Sequence, residues 1–288
     1  MTHITFLGPF GATFSHHAYT VLAERFGAPQ ATVENYVFTT SNGDVLKNIL
    51  QNGGYGAVAM DTLAGGRVVE PLESFVGLLG SCGHMETCPI RVVSAVRMKV
   101  HFCLMARKGV TKSMITKVIA HPKALEACKR GVVAMGLATC GAASNGEAAQ
   151  RVAEGHECAR YAALAPRSAA DVYGLTVLEE SFEDDTAFTT FFLIAPATYP
   201  VHLGEENRVL IVYKIPHAPG ALLKSLQPFQ GLNLVQIHSV HAGNRTYDFA
   251  IEIDLKRGEL ESLERAMVEF RGRVSAHLSF GPFVVLSE

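Results

Sequence analysis

Short, nearly unbroken apolar runs alternate along this chain with longer segments in which apolar residues recur at helical spacing. Ile4 to Leu7, Gly56 to Met60, Val118 to Ala120, Val132 to Leu137 and Tyr161 to Leu164 read as buried strands. Between them, helices are predicted from about His16 to Phe26, Asp44 to Asn52, Lys123 to Arg130, Asn145 to Glu154 and Arg167 to Tyr173, the last ended by Gly174. Ile90 to Met98 and Val100 to Ala106 read as paired strands. Strand and helix in alternation predict an α/β fold with a largely parallel sheet. The alternation stops near Ala106 and restarts at Val118, so two lobes with a cleft between them are expected.

Two strand ends run into glycine-bearing turns, Gly8-Pro9-Phe10-Gly11-Ala12-Thr13-Phe14-Ser15 and Asp61-Thr62-Leu63-Ala64-Gly65-Gly66-Arg67-Val68. A strand, a glycine turn and a helix start leave backbone N–H groups unpaired, which makes an anion site at the carboxyl ends of the strands. Ser15 reads as an N-cap as readily as a ligand contact. Ser144 reads as the cap of the next lobe's helix, with Glu147 three residues on as in a capping box.

After Pro196 the composition shifts to a linker, Ala197 to Asn207. The tail then reads strand (Arg208 to Ile215), helix (Gly220 to Phe229), strand (Leu232 to His241), strand (Asp248 to Asp254), helix (Glu259 to Arg271) and strand (Val274 to Phe283). That βαββαβ order of about 80 residues is the ferredoxin-like arrangement.

With 288 residues the chain is long enough for roughly two domains. The net charge of -2 and 18% charged residues carry no footprint for nucleic acid or anionic membrane, so a small near-neutral partner is expected. No apolar stretch reaches the ~18 residues of a membrane span, and the N-terminus enters a strand without a signal-like segment, so a cytoplasmic protein is expected. The six cysteines fit reduced thiols better than a disulfide framework. Cys82, His84 and Cys88 match no strong zinc spacing, and no metal is expected. His16 and His17, adjacent in a helix, point apart and are poorly placed for joint ligation.

The candidate chemistry centres on Asp184 to Ala195, an acidic turn followed by Thr189 and Thr190 and then the apolar run Phe191 to Ile194. Hydroxyls at the mouth of a buried strand sit on a rigid element, which suits a small-molecule site, although two threonines are also ordinary in a strand.

Taken together, Leu7-Gly8-Pro9-Phe10-Gly11-Ala12-Thr13-Phe14-Ser15, His121-Pro122-Lys123-Ala124-Leu125, Ala143-Ser144-Asn145-Gly146-Glu147-Ala148-Ala149, Tyr173-Gly174-Leu175 and Phe188-Thr189-Thr190-Phe191 make the chain resemble the prephenate dehydratase family with a C-terminal ACT domain. The resemblance implies a two-lobed, periplasmic-binding-protein-like α/β domain over about residues 1–198, with lobe 1 near 1–100 and 187–198 and lobe 2 near 101–186. A ferredoxin-like ACT regulatory domain over 207–288 follows. It also implies conversion of prephenate to phenylpyruvate with loss of carbon dioxide and water in phenylalanine synthesis, without a cofactor.

In that reading Thr189 donates a hydrogen bond to the departing C4 hydroxyl, since a threonine orients and stabilises a leaving group better than it protonates it. Thr13, Ser15 and the N–H groups after Gly11 cradle one carboxylate, Ser144 with Asn145 holds the other, and Thr62, Thr190 and Phe191 complete the site. His121 reads as a helix-end residue and not as an acid. In the tail, Gly220, Ala221 and Leu222, with Asn233, His238 and Ser239, correspond to the effector site of aromatic-sensing ACT domains, with phenylalanine as the possible effector. Such domains pair side by side, so a homodimer or homotetramer is expected.

The chain also departs from the family. The arginine of the Thr-Arg-Phe motif is Thr190, and the Asn-Ser-x-Glu-Gly turn is Thr62-Leu63-Ala64-Gly65-Gly66, with Arg67 a possible replacement for the lost charge. Ala12 is an extra residue in the first turn, and Glu-Ser-Arg-Pro is His238-Ser239-Val240-His241, which puts phenylalanine feedback in question. These losses keep open a prephenate decarboxylase that retains the C4 hydroxyl, giving a dihydro-4-hydroxyphenylpyruvate. They also keep open a non-catalytic regulatory protein that only binds an aromatic acid.

Overall fold

The computed structural model describes the chain except for residues 1, 63–65, 68, 83–87, 156–158, 205, 244–245 and 288, and the side chains of Thr62, Arg67, Val69, Glu70, Ser81, Cys82 and Glu206 also lie outside the description. The first elements are β1 (Ile4–Leu7), α1 (Phe14–Phe26), β2 (Tyr36–Thr39), α2 (Asn42–Asn52), β3 (Tyr55–Thr62), β4 (Gly66–Arg67), α3 (Val69–Cys82) and β5 (Ile90–Val100). The chain then crosses into β6 (Cys103–Ala106), β7 (Lys117–Ala120), α4 (Pro122–Ala127), α5 (Lys129–Ala134), β8 (Ala138–Gly141), α6 (Asn145–Glu154), β9 (Tyr161–Ala165), α7 (Arg167–Tyr173) and β10 (Thr176–Glu179). It returns as β11 (Ala187–Pro196) and continues through β12 (Glu206–Lys214), α8 (Ala221–Leu226), β13 (Asn233–His241), β14 (Tyr247–Lys256), α9 (Leu260–Arg271) and β15 (Ala276–Ser287).

Two sheets result. The second lobe is built on a five-stranded sheet in the order β10-β6-β9-β7-β8, with parallel β7, β8 and β9 at one end. The other sheet has ten strands, in the order β13-β14-β12-β15-β5-β11-β3-β1-β2 with β4 on β3. Its first four strands have the order and antiparallel pairing of a ferredoxin-like βαββαβ unit. The last strand, β15, runs on past the expected end at Phe283 and pairs in parallel with β5, from Val284↔Ser94 to Ser287↔Arg97. The C-terminal unit and the first lobe thereby share one sheet. They also share a core: Leu72, Phe75 and Phe192 pack in one cluster with Leu210, Val212, Phe280 and Phe283.

Several expectations are corrected by long-range contacts. Ile90 to Met98 and Val100 to Ala106 are not a pair: β5 lies between β11 and β15 in the large sheet, whereas β6 lies between β10 and β9 in the small one. The break between them is the crossing from one sheet to the other, held by Glu183, whose carboxylate accepts from Phe102 N at 2.9 Å and contacts His101 Nδ1 at 2.7 Å. The strand expected over Val132 to Leu137 is instead the end of helix α5, up to Ala134, followed by a turn. The start of α5 is capped from a distance by Asp184, which accepts from the backbone N–H groups of Arg130 at 2.7 Å and Gly131 at 3.3 Å. A local apolar run cannot reveal a cap that lies some fifty residues downstream. Strands β2 and β10, for which no element was expected, and helix α3, which follows the second glycine turn, complete the two lobes.

Candidate functional site at the lobe junction

The first glycine turn carries the chain from β1 to α1, and Thr13, not Ser15, caps the helix. Thr13 is extended, its hydroxyl accepts from His16 N at 3.2 Å and donates to Leu7 O at 2.9 Å, and its residue is buried. Both functions of that hydroxyl are therefore committed to local structure. What the helix start offers a ligand is backbone: the N–H groups of Phe14 and Ser15, which have no intrahelical acceptor. Ser15, one residue inside the helix and 3% exposed, has no side-chain hydrogen-bond partner among the described residues.

The second lobe meets this turn with the start of α6. Ser144 Oγ accepts from Glu147 N at 3.0 Å, as its expected cap role requires, and donates across the junction to Gly8 O at 2.7 Å. Glu147 closes the box one residue early, on Ala143 N at 2.7 Å. The approach is tight because residue 146 is glycine: a Cβ there would stand 2.7 Å from Pro9 Cδ and 2.8 Å from Ala12 O. Gly11, at φ +75°, makes the turn and faces Val172 of α7. Asn145 accepts from His121 N through Oδ1 at 2.9 Å, and His121 caps α4 by accepting from Lys123 N through Nδ1 at 3.2 Å. His121 is thus a helix-end residue, with its proton assigned to Nε2 by that bond.

Thr189 stands at the entry of β11, 6% exposed, in register with Thr62 of β3 on one side and Met98 of β5 on the other. Side chains alternate along the strand. Phe191 and Leu193 lie in the cluster under α1, with Phe6, Tyr19, Leu22 and Met98, so Thr189 belongs to the face that α1 covers. The start of α1 reaches the same region: Phe14 packs edge-on against Phe102 at 5.4 Å and joins the cluster containing Val100 and Ala187. Phe191, at 2% exposure, is core.

Thr190 belongs to the opposite face, with Phe192 and Ile194. Its N–H donates to Asp61 Oδ1 at 3.2 Å, and its register neighbours are Asp61 on β3 and Arg97 on β5. Arg67, by backbone pairing with Asp61, stands in the same row. The guanidinium of Arg97 lies 4.7 Å over the ring of Phe188. Sequence reasoning missed Asp61, Arg97 and Phe188. The available signal was the strand alternation, which leaves Arg97 and Lys99 exposed between buried Val96, Met98 and Val100.

In the C-terminal unit, Gly220, Ala221 and Leu222 line a groove of about 180 Å³ with Pro216, Tyr247 and Phe249. Gly220 precedes α8 at φ +76°. Asn233, His238 and Ser239 do not line that groove; they lie along β13, where Ser239 pairs with Phe249. Of the Cys82, His84, Cys88 trio, His84 and the Cys82 side chain lie outside the described residues. No helix among the described residues is long and apolar enough to cross a membrane.

The prephenate dehydratase family profile matches residues 4–198. Among curated proteins, the chain is 32% identical over 181 residues to arogenate dehydratase/prephenate dehydratase 1, chloroplastic, of Arabidopsis thaliana, which covers 60% of this chain and 45% of that protein. The chain spans about half the length of the curated relatives it matches first. Among solved structures, a prephenate dehydratase from Arthrobacter aurescens in complex with L-Phe superposes with a TM-score of 0.82 at 23% identity, covering 98% of this chain and 90% of that one. GqqA, described as a novel type of quorum quenching acylase, superposes at 0.74 with 22% identity over 99% and 98%. At these identities the two structures speak to the fold alone, and they show it under two differently named activities.

Proposed function

The chain belongs to the prephenate dehydratase family, and from that premise we propose that it is a dehydratase-type lyase that converts prephenate to phenylpyruvate with loss of carbon dioxide and water. The observation that carries the reading is the placement of Thr189. Its residue is buried on a rigid strand, on the sheet face covered by a helix whose first turn supplies unpaired N–H groups. A dianion needs donors that do not have to reorganise, and backbone N–H groups at a helix start with its positive dipole end meet that need. The side-chain donors first expected for this task, Thr13 and Ser144, are occupied in capping, so the carboxylates are assigned to the Phe14 and Ser15 N–H groups, the Ser15 hydroxyl and the Asn145 amide. Thr189 donates to the C4 oxygen as it leaves, and aromatisation drives the step.

The loss of the motif arginine is compatible with this chemistry. Residue 190 lies on the far face, where Arg97 stands in register with it, so positive charge persists in that row. Thr189→Val is expected to lower kcat by about a hundredfold or more, the usual effect of removing one donor to a developing oxyanion.

Product analysis tests the reading directly. Purified protein is incubated with prephenate and, because the plant relative carries arogenate dehydratase in its name, with arogenate. An aromatic product supports dehydration. A dihydro-4-hydroxyphenylpyruvate would replace it with the decarboxylase reading, and unchanged substrates would leave the binding-protein reading standing.

We further propose that residues 207–288 form an ACT regulatory domain, with the groove at Gly220 to Leu222 taking an aromatic amino acid. The exposed edge of β13, with Ile237 50% exposed, is proposed to pair with a second copy.

A further inference from the structure

A second cavity lies far along the large sheet, where the first lobe joins the C-terminal unit. It is about 320 Å³ and is lined by Cys88, Ile90, Arg91, Val93, Val201 and Phe280, among others. Its origin is a splaying of two strands. β15 pairs with β5 only from Val284↔Ser94 onward, so over Ile90 to Val93 that side of β5 has no paired strand. Upstream of the pairing, β15 carries a bulge against β12, where Arg208 opposes Phe283 and Leu210 opposes Phe280. Gly281 sits in the bulge at φ +117°, and a Cβ there would come within 2.8 Å of Arg208 O, so the bulge requires glycine. The linker after β11 roofs the opening through Ala197, Pro200 and Val201.

Among the described residues, one charged side chain lines this space. Arg91 Nη1 donates to Tyr199 O of the linker at 2.8 Å, which fixes the plane of the guanidinium. Nε is fully buried and has no hydrogen-bond partner, and Arg91 makes no ion pair among the described residues. Nη2 has no hydrogen-bond partner among the described residues and is not one of the fully buried atoms, so it is the donor of this guanidinium left open to a carboxylate. Ile90, Val93 and Phe280 supply apolar wall, and Ser279 a polar one.

We propose that this cavity binds a small carboxylate with a compact apolar body, the carboxylate on Nη2 of Arg91 and the body against Ile90 and Phe280. Such a ligand touches β5, β15 and the linker at once, so its binding energy strengthens the union of the first lobe with the C-terminal unit. The site is separate from the Thr189 junction and from the Gly220 groove.

Benzoate is the probe, and Cys88, half-buried at the cavity wall, is the reporter. Alkylation of Cys88 in the full chain is followed by peptide mass spectrometry. At benzoate tenfold above its Kd, the rate is expected to fall about tenfold and the thermal midpoint to rise by about 3 °C. Both effects should vanish in Arg91→Met and persist in Thr189→Val, which keeps this outcome distinct from binding at the lobe junction. Val201→Trp, a change at an exposed rim position, fills the opening without removing the cation and should also abolish protection by benzoate. Unslowed alkylation in the wild type, or protection retained in both Arg91→Met and Val201→Trp, overturns the proposal. Equal protection by inorganic phosphate overturns the assignment to a carboxylate with an apolar body.

Discussion

The molecule has two seams, and they are held by different physics. Where the first lobe meets the C-terminal unit, backbone pairing of β15 with β5 continues a sheet, and Phe192 and Phe283 meet edge to face at 5.0 Å in a shared core. Where the first lobe meets the second there are two chain crossings but no continued sheet: Ser144 bonds Gly8, Gly146 lies against Pro9 and Ala12, and Ala12 and Phe14 pack into the second lobe's apolar clusters. A seam made of sheet and core does not slide without losing many contacts at once. A seam without shared backbone pairing gives up fewer contacts when it opens, and that is where the candidate site lies. The difference teaches which parts are built together: the C-terminal unit is tied by sheet and core to the lobe carrying Thr189 and not to the other.

The comparison can be broken at each seam. Phe283→Ala removes a fully buried ring from the shared core and should cost about 3–5 kcal/mol, read by denaturant unfolding. The first lobe and the C-terminal unit should still unfold in one transition, and separate transitions for the two would refute the common core. At the other seam, Ser144→Ala removes a helix cap and the interlobe bond together and should cost about 1–2 kcal/mol. Its signature should be faster amide exchange in the first turn of α6 with β15 unchanged. A loss of protection spread evenly over both would mean that the seams are not distinct.

A smaller, pH-dependent effect sharpens the picture of the first turn. His16 stacks near Phe6 at 5.1 Å and Phe10 at 4.5 Å, and burial, followed by the neighbouring His17, holds its pKa below the ordinary 6.5. Folding therefore favours the neutral ring. Its stabilisation is present above pH 6.5 and is lost as pH falls through the lowered folded value. Between neutral pH and about pH 5 the wild type should lose slightly more stability than His16→Gln, with equal losses counting against a buried neutral ring.

The sequence by itself determined the elements whose signals are local: the helix starts at Ser144 and His121, the glycine turn at Gly11, and the βαββαβ order of the tail. It also determined the family, because that depends on residue types in order and not on their distances. Tertiary structure alone decided that Thr13 and not Ser15 caps the first helix, that Ser144 also donates across the junction to Gly8, and that Arg97 shares a register row with Thr190. It also turned Lys129–Ala134 into a helix, capped by Asp184, and made β15 join two units in one sheet. The physical reason is separation along the chain: a cap or a strand pairing that links residues tens to hundreds of positions apart leaves no periodic trace, because each partner alone reads as an ordinary loop or strand residue.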